Sequence, residues 1–329
     1  MLNQTSQYCS RWLMNWSLQP ATMIAALAVG MSSPLKGITI NGFVLDEAVI
    51  PVTHIKRAAP EKDYIPSIDD TKWLSASAQS LLSNEDEVIS VTVGAETRAY
   101  PLRILVWHEI VNDTIGDTPV VVTYSALTGS AIVFEPGITA TGERREFGGS
   151  GLLYNSGILF YDRENEYLWS QLRMSGVSGE ACDEELPMVP SRRLTWAVWK
   201  RLYPQGQVLS PETGHERDYA GEWPYSEYAN DRATLFPFDI NRNEFSTKER
   251  VVGLRIGEYS RCWPMEKLRG KGELYDTVGT HQVTVKFDEK NNEVLVADMM
   301  TGKPMPVVST YWFGWQAFYP DTSVWIPFD

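Results

Sequence analysis

Cysteine, positive charge and long apolar runs are all scarce in this chain. Its three cysteines, Cys9, Cys182 and Cys262, lie far apart among 329 residues, with no CxxC pair and no metal-type spacing. That excludes a disulfide framework or a zinc site read from spacing, and leaves a Cys182–Cys262 bridge open. Net charge is −13. A phosphate backbone would be repelled, so nucleic acid is excluded as a partner, and no polybasic patch invites a membrane surface. The longest apolar run, Pro20 to Met31, has signal-peptide length and is too short to span a bilayer comfortably. Residues 1–36 are therefore expected to be a leader, either a signal peptide or a short anchor, with Ala28 and Gly30 small enough for a cleavage site. The expected location is periplasmic or extracellular, with membrane contact only through a retained leader. The alternative is a cytoplasmic N-terminal helix packed on the body.

Several catalytic signatures are also missing. Gly148-Gly149-x-Gly151 is not followed by Gly-Lys-Ser/Thr, so it is no P-loop and reads as a flexible hairpin. Thr128-Gly129-Ser130 is no nucleophile elbow, because Ile132 stands where the second glycine is required. Glu61, Asp63, Asp69 and Asp70 lack calcium-loop spacing.

What is present is a large globular core and many turns. Hydrophobic residues make up 43% and charged residues 22%, with 12 Trp, 15 Tyr and 19 Pro, a composition that favours strands and long loops. The fold class is expected to be mainly β (α+β). Gly37 to Leu45 alternates around Asn41-Gly42 and predicts a hairpin. Arg57 to Asp70 predicts a surface loop, and Ser75 to Leu82 a short helix. Glu87 to Tyr100 predicts a hairpin turning at Gly94, and Pro101 starts a short helix carrying Leu102, Leu105 and Val106. Pro119 to Tyr124 is a β-branched run expected of a strand buried on both faces, with Gly129 to Phe134 returning beside it.

The chain then repeats itself. Val251 to Gly257 answers Val88 to Gly94, Trp263-Pro264 answers Tyr100-Pro101, Asp276-Thr-Val-Gly279 answers Asp113-Thr-Ile-Gly116, and Val283 to Phe287 answers Val120 to Tyr124. Each pair is 163 positions apart (264 − 101, 276 − 113). Trp312, Trp315 and Tyr319-Pro320 answer Trp196, Trp199 and Tyr203-Pro204 at an offset of 116 (312 − 196), so the first copy holds 47 extra residues (163 − 116). Two duplicated β-rich units, each ended by a short helix and packed as one globule, are expected. Residues 37–210 form the first, 211–247 an acidic aromatic connecting loop, and 248–329 the second.

Residues that recur in both copies serve the fold, whereas chemistry needs only one copy. His108 is answered by Lys271, Ser125 by Asp288 and Thr128 by Asn291. The candidate site is therefore in the first copy: His108 and Glu109 as catalytic candidates, and His108, Asn112, Tyr124, Ser125, Thr128, Ser130, Tyr154, Asn155, Asp162, Arg163, Trp169 and Gln171 as ligand-binding candidates. Trp223, Tyr225 and Tyr228 in the connecting loop are an alternative, glycan-binding set.

Pro66 to Asp70, Arg98 to Leu105, Trp107 to Asp113, Gly129 to Phe134, Ser150 to Ser156, Leu168 to Gln171 and Leu235 to Pro237 together resemble domain-of-unknown-function family 3179. The resemblance runs from about Gly37 to the C-terminus and implies a bacterial or archaeal, often exported protein, with no reaction attached. It also implies a CxxC pair at the positions of Ser125 and Thr128, a plausible soft-metal or thiol-redox site beside Trp107-His108-Glu109. Hydroxyls at both positions make poor soft-metal ligands and cannot form a disulfide. No metal and no cofactor are expected. The expected function is that of a non-catalytic scaffold, accessory subunit or ligand-binding protein, with a protein partner or larger assembly. The alternative is an enzyme or metal-binding protein using His108 with nearby polar residues.

Overall fold

The computed structural model describes residues 37–239 and 242–327; the expected leader lies outside them. Besides the two-stranded sheet Thr39–Ile40 with Phe43–Val44, five antiparallel or mixed sheets among the described residues are arranged like the blades of a propeller. Sheet A orders its strands Ser191–Thr195, Glu87–Val93, Glu96–Pro101, Gln207–Leu209 and Trp73–Ser75. Sheet B is the meander Ile110–Ile115, Thr118–Ser125 and Ser130–Phe134. Sheet C joins Ser175–Gly176, Leu168–Ser170, Gly157–Asp162, Phe147–Tyr154 and Lys56–Arg57. Sheet D holds Val308–Tyr311, Arg250–Ile256, Tyr259–Pro264 and Ser323–Val324, and sheet E the meander Glu273–Val278, His281–Asp288 and Glu293–Asp298.

The mainly β class is observed, but the division into two packed units is corrected. Strand starts in D and E follow those in A and B at the offsets read from the sequence, for example Arg250 after Glu87 and His281 after Thr118. The repeat thus builds four sheets as two matched pairs. The extra segment of the first copy does not decorate a unit; with Lys56–Arg57 it builds a fifth sheet of its own. Short helices Trp196–Leu202 and Trp312–Phe318 follow the matching strands of A and D.

One buried motif explains why the same residues recur. Arg98 Nη1 donates to both carboxylate oxygens of Asp113 at 2.8 and 2.7 Å, and the Tyr100 hydroxyl donates to the same carboxylate at 2.6 Å. In the second copy Arg261 Nε donates to Asp276 at 2.6 Å and Trp263 Nε1 donates at 2.8 Å. Each triad ties the hairpin of one sheet to the first strand of the next. A carboxylate this enclosed persists only because its charge and lone pairs are met. The paired tryptophans are framework too. Trp199, Trp312 and Trp315 are fully buried and Trp196 nearly so, and each such ring contributes roughly 4–6 kcal/mol of burial before entropy.

Three local expectations meet a different outcome. Ser75 to Leu82 forms no helix. Trp73–Ser75 instead pairs with Gln207–Leu209 as an edge strand. Side chains then take the backbone donors: Ala78 N bonds Ser75 Oγ at 3.3 Å and Leu82 N bonds Gln79 Oε1 at 2.6 Å. The Gly148 segment does form one arm of a hairpin, Phe147–Tyr154 with Gly157–Asp162, but as a buried strand and not a flexible one. Its glycines let the 59–65 segment approach: a Cβ on Gly148 would meet Asp63 Oδ1 at 2.6 Å, and one on Gly149 the Ile65 carbonyl at 2.7 Å. The Arg57 to Asp70 loop turns inward at Ser67 and Ile68, which bridges to Val111. The Asn41-Gly42 hairpin, the Gly94 turn, the Leu102–Leu105 helix and the buried strand Thr118–Ser125 form as predicted.

Candidate functional site

The helix Leu102–Leu105 ends against the start of sheet B, and this corner fixes His108. Its imidazole is fully buried. Nδ1 lies 2.7 Å from the Pro66 carbonyl and Nε2 lies 2.5 Å from the Tyr219 hydroxyl. A carbonyl only accepts, so Nδ1 carries the proton and Nε2 receives the Tyr219 O–H. The Tyr219 oxygen is in turn 2.6 Å from Thr213 Oγ1, which accepts from His215 N at 3.3 Å. Burial pushes His108 down to about 4, against the opposing pull of the Pro66 carbonyl. The ring is neutral and both nitrogens are used, and neither bonds to Ser125 or Thr128.

The Ser125 to Ser130 loop is closed in a second network. Thr128 N donates to Ser125 Oγ at 3.4 Å, and Thr128 Oγ1 and Ser130 Oγ are 2.7 Å apart. Ser130 gives its proton to Gln171 Oε1 at 2.7 Å, so Thr128 is the donor to Ser130. Gln171 Nε2 reaches Thr123 Oγ1 at 2.9 Å, and Thr123 donates to the Ile132 carbonyl at 2.8 Å. The second copy seals the loop. Thr128 O accepts from Tyr311 N and Thr310 Oγ1, both at 2.8 Å. Gly129, at φ 62°, lies under the Tyr311 ring, which a Cβ would meet at 2.9 Å.

The other candidates mostly brace neighbouring strands. Asn112 bonds Asp69 and exchanges two bonds with the Phe147 backbone. Asp162 receives Asn165 N and Trp169 Nε1, and Trp169 is core. Asn155 joins Ala317 to Asp239, Arg163 spans Asp63, Ser67 and Asp69, and Tyr154 packs edge-on against Phe318. In the connecting loop Tyr228 is buried with its hydroxyl on Leu127 O at 2.7 Å, while Trp223 and Tyr225 are partly buried against the core. Cys182 gives its thiol to the Glu47 carbonyl at 3.2 Å and Cys262 is a buried thiol pushed up to about 12 by burial, so the 182–262 bridge is not formed.

Two candidates stay open. The Glu109 carboxylate has no hydrogen-bond or ion-pair partner among the described residues. It is partly buried, its backbone sits at φ 58°, and burial pushes it up to about 7. The Tyr124 hydroxyl likewise has no partner among the described residues, and its proton is held by burial, against the opposing charges of Arg193 and Arg250.

Those arginines were not candidates. Arg193 clamps Glu87 through Nε at 2.8 Å and Nη2 at 2.6 Å, and Arg250 approaches the same carboxylate at 3.8 Å. The comparison between copies holds the signal that finds them. Arg250 answers Glu87 and Phe287 answers Tyr124 at 163, while Ser309 answers Arg193 at 116. Applied to strands as well as to loops, the rule that chemistry appears in one copy selects these positions.

Residues 62–322 match the family described as "Protein of unknown function (DUF3179)". The chain belongs to the DUF3179 family. Searches of curated proteins and of solved structures each returned no match. In this DUF3179 member the residues at the position of the expected thiol site do not fit a soft metal. Ser125 and Thr128 offer hydroxyls already engaged, and His108 faces Tyr219 instead. Among the described residues no group of three or more His, Cys, Asp or Glu is placed to hold a metal ion, and no helix is long and apolar enough to cross a membrane.

Proposed function

We propose that this DUF3179 protein is a non-catalytic binding scaffold or accessory subunit. The observation that carries the reading is the closure of both polar networks: His108 between Pro66 and Tyr219, and Ser125 to Ser130 sealed by Gln171 and Tyr311. A general base needs an open lone pair within reach of a substrate, and a nucleophile needs an open path. Neither network provides one. Elemental analysis of the purified full-length chain tests the reading. The expected result is no stoichiometric copper, iron or zinc; about one such ion per chain would contradict it.

A second reading, an acid–base enzyme, is favoured by one observation, the partnerless Glu109 carboxylate held near neutrality. It predicts that Glu109→Gln abolishes a measurable turnover while leaving the melting temperature at pH 4 unchanged. A screen across ester, amide and glycoside substrates that finds no turnover in the wild-type chain removes this reading.

A further inference from the structure

Between sheets A and D lies a cavity of about 260 Å³. One wall is apolar, made by Ile89, Ala131, Val252, Met265, Val294 and Val307. The other carries charge, and most of that charge is matched. Arg192 is bound by Glu293 and by the Tyr203 hydroxyl, and Glu266 by Arg269. What remains is one carboxylate facing two guanidiniums, Glu87 with Arg193 and Arg250. Arg193 takes the Glu87 oxygens in a two-pronged bond and gives a third donor to the Gly129 carbonyl at 3.0 Å. Arg250 is left with only the 3.8 Å approach to Glu87 and a position 5.9 Å from the centre of the Tyr311 ring. It makes no hydrogen bond to any described residue. Its guanidinium carries five N–H donors in a planar fork suited to a carboxylate.

We infer that this cavity binds a small organic monocarboxylate, with its oxygens on the fork of Arg250 and its apolar body against the Val252–Met265 wall. Arg250, the lining guanidinium left without a close carboxylate, suits a single negative charge. A phosphate dianion would need more positive charge than the cavity holds and would leave the apolar wall unused. The volume is at the small end for ligand sites, so the body is ring-sized or smaller. This site borders the Ser125 to Ser130 loop through Gly129 and Tyr311 but uses none of its hydroxyls, so it can fail without affecting the scaffold reading, and the reverse.

Isothermal titration of the full-length chain with benzoate tests the inference, with benzamide and inorganic phosphate as comparison probes. Benzoate is expected to bind one to one. Arg250→Gln is expected to weaken it at least about tenfold, the loss of a charge-assisted pair, and Arg250→Lys by less. Ala131→Met fills the cavity from the opposite wall with Arg250 in place, and is expected to abolish binding; it decides the matter where Arg250→Gln fails to fold. Benzamide is expected not to bind, and phosphate not to displace benzoate. The inference is overturned by no benzoate binding up to about 10 mM, by unchanged affinity in Arg250→Gln or Ala131→Met, by benzamide binding as tightly, or by displacement with phosphate.

Discussion

Glu87 and Arg250 occupy the same position in the two copies of the repeat, and they meet across the seam between the copies at 3.8 Å. Duplication placed one position twice, and divergence gave it opposite charges. Arg193, which has only Ser309 as its counterpart, holds Glu87 from the neighbouring strand. The seam of this protein is therefore held by residues that the repeat does not share.

The two partners of that contact should not be worth the same. Glu87→Gln leaves Arg193 and Arg250 close together without an anion, and is expected to cost about 1–2 kcal/mol in denaturant unfolding. Arg250→Gln removes a distant pair and is expected to change stability by less than about 1 kcal/mol. Burial opposes the Glu87 charge, but Arg193 and Arg250 outweigh it and hold the carboxyl down at about 2. The stabilisation from Glu87 is thus complete above its unfolded value of 4.5 and is lost as pH falls towards 2.

Asp113→Asn should be among the most damaging single changes. It removes the charge facing the Arg98 guanidinium, whose side chain is only 12% exposed, and turns one of the two oxygens shared by Arg98 and Tyr100 into an amide donor. A loss of about 3–5 kcal/mol is expected by urea unfolding. Asp276→Asn breaks the matching triad, where Arg261 is 19% and Asp276 14% exposed. There more water compensates, and the loss should be smaller.

Neighbouring His108 and Glu109 should respond to pH in opposite directions. His108 is held down at about 4, so its stabilising contribution is complete above its ordinary 6.5 and disappears as pH falls from there to about 4. Glu109 is held up at about 7, so its carboxyl is tolerated below 4.5 and costs stability as pH rises through 7. Glu109→Gln is therefore expected to raise stability by about 1–2 kcal/mol at pH 8 and to leave it unchanged at pH 4, which melting curves at the two pH values would show.

Gly129→Ala is expected to cost about 2–4 kcal/mol. The residue sits at φ 62°, and the added methyl would press on the Tyr311 ring at 2.9 Å. The damage should reach beyond the loop, because Tyr311 also donates its N–H to Thr128. Thermal unfolding of the variant measures it.

Much of the framework was legible because it is written twice. That the aromatic-Pro pairs, the Asp113 and Asp276 turns and the paired tryptophans are framework could be read from the offset alone; that Arg98 and Arg261 close on those aspartates could not. Sheet C could not, because it has no second copy and its strand Phe147–Tyr154 is glycine-rich for close packing, a pattern that imitates a loop. Nor does a local pattern show that His108 takes its partners from residues 42 positions before it and 111 after it. The same holds for Glu87 and Arg193, which lie 106 positions apart. Hydrogen-bond closure depends on such long-range partners, and so the sequence could gather polar candidates without separating the engaged ones from the open ones.

The polar networks of the first copy are closed around His108 and Ser130. Imidazole nitrogen NMR on isotopically labelled full-length protein tests this closure most directly, by following His108 from pH 8 to pH 5. A neutral ring protonated at Nδ1 is expected throughout that range, with no titration until the protein itself begins to unfold. A His108 that titrates near 6.5, or that carries its proton on Nε2, would contradict it.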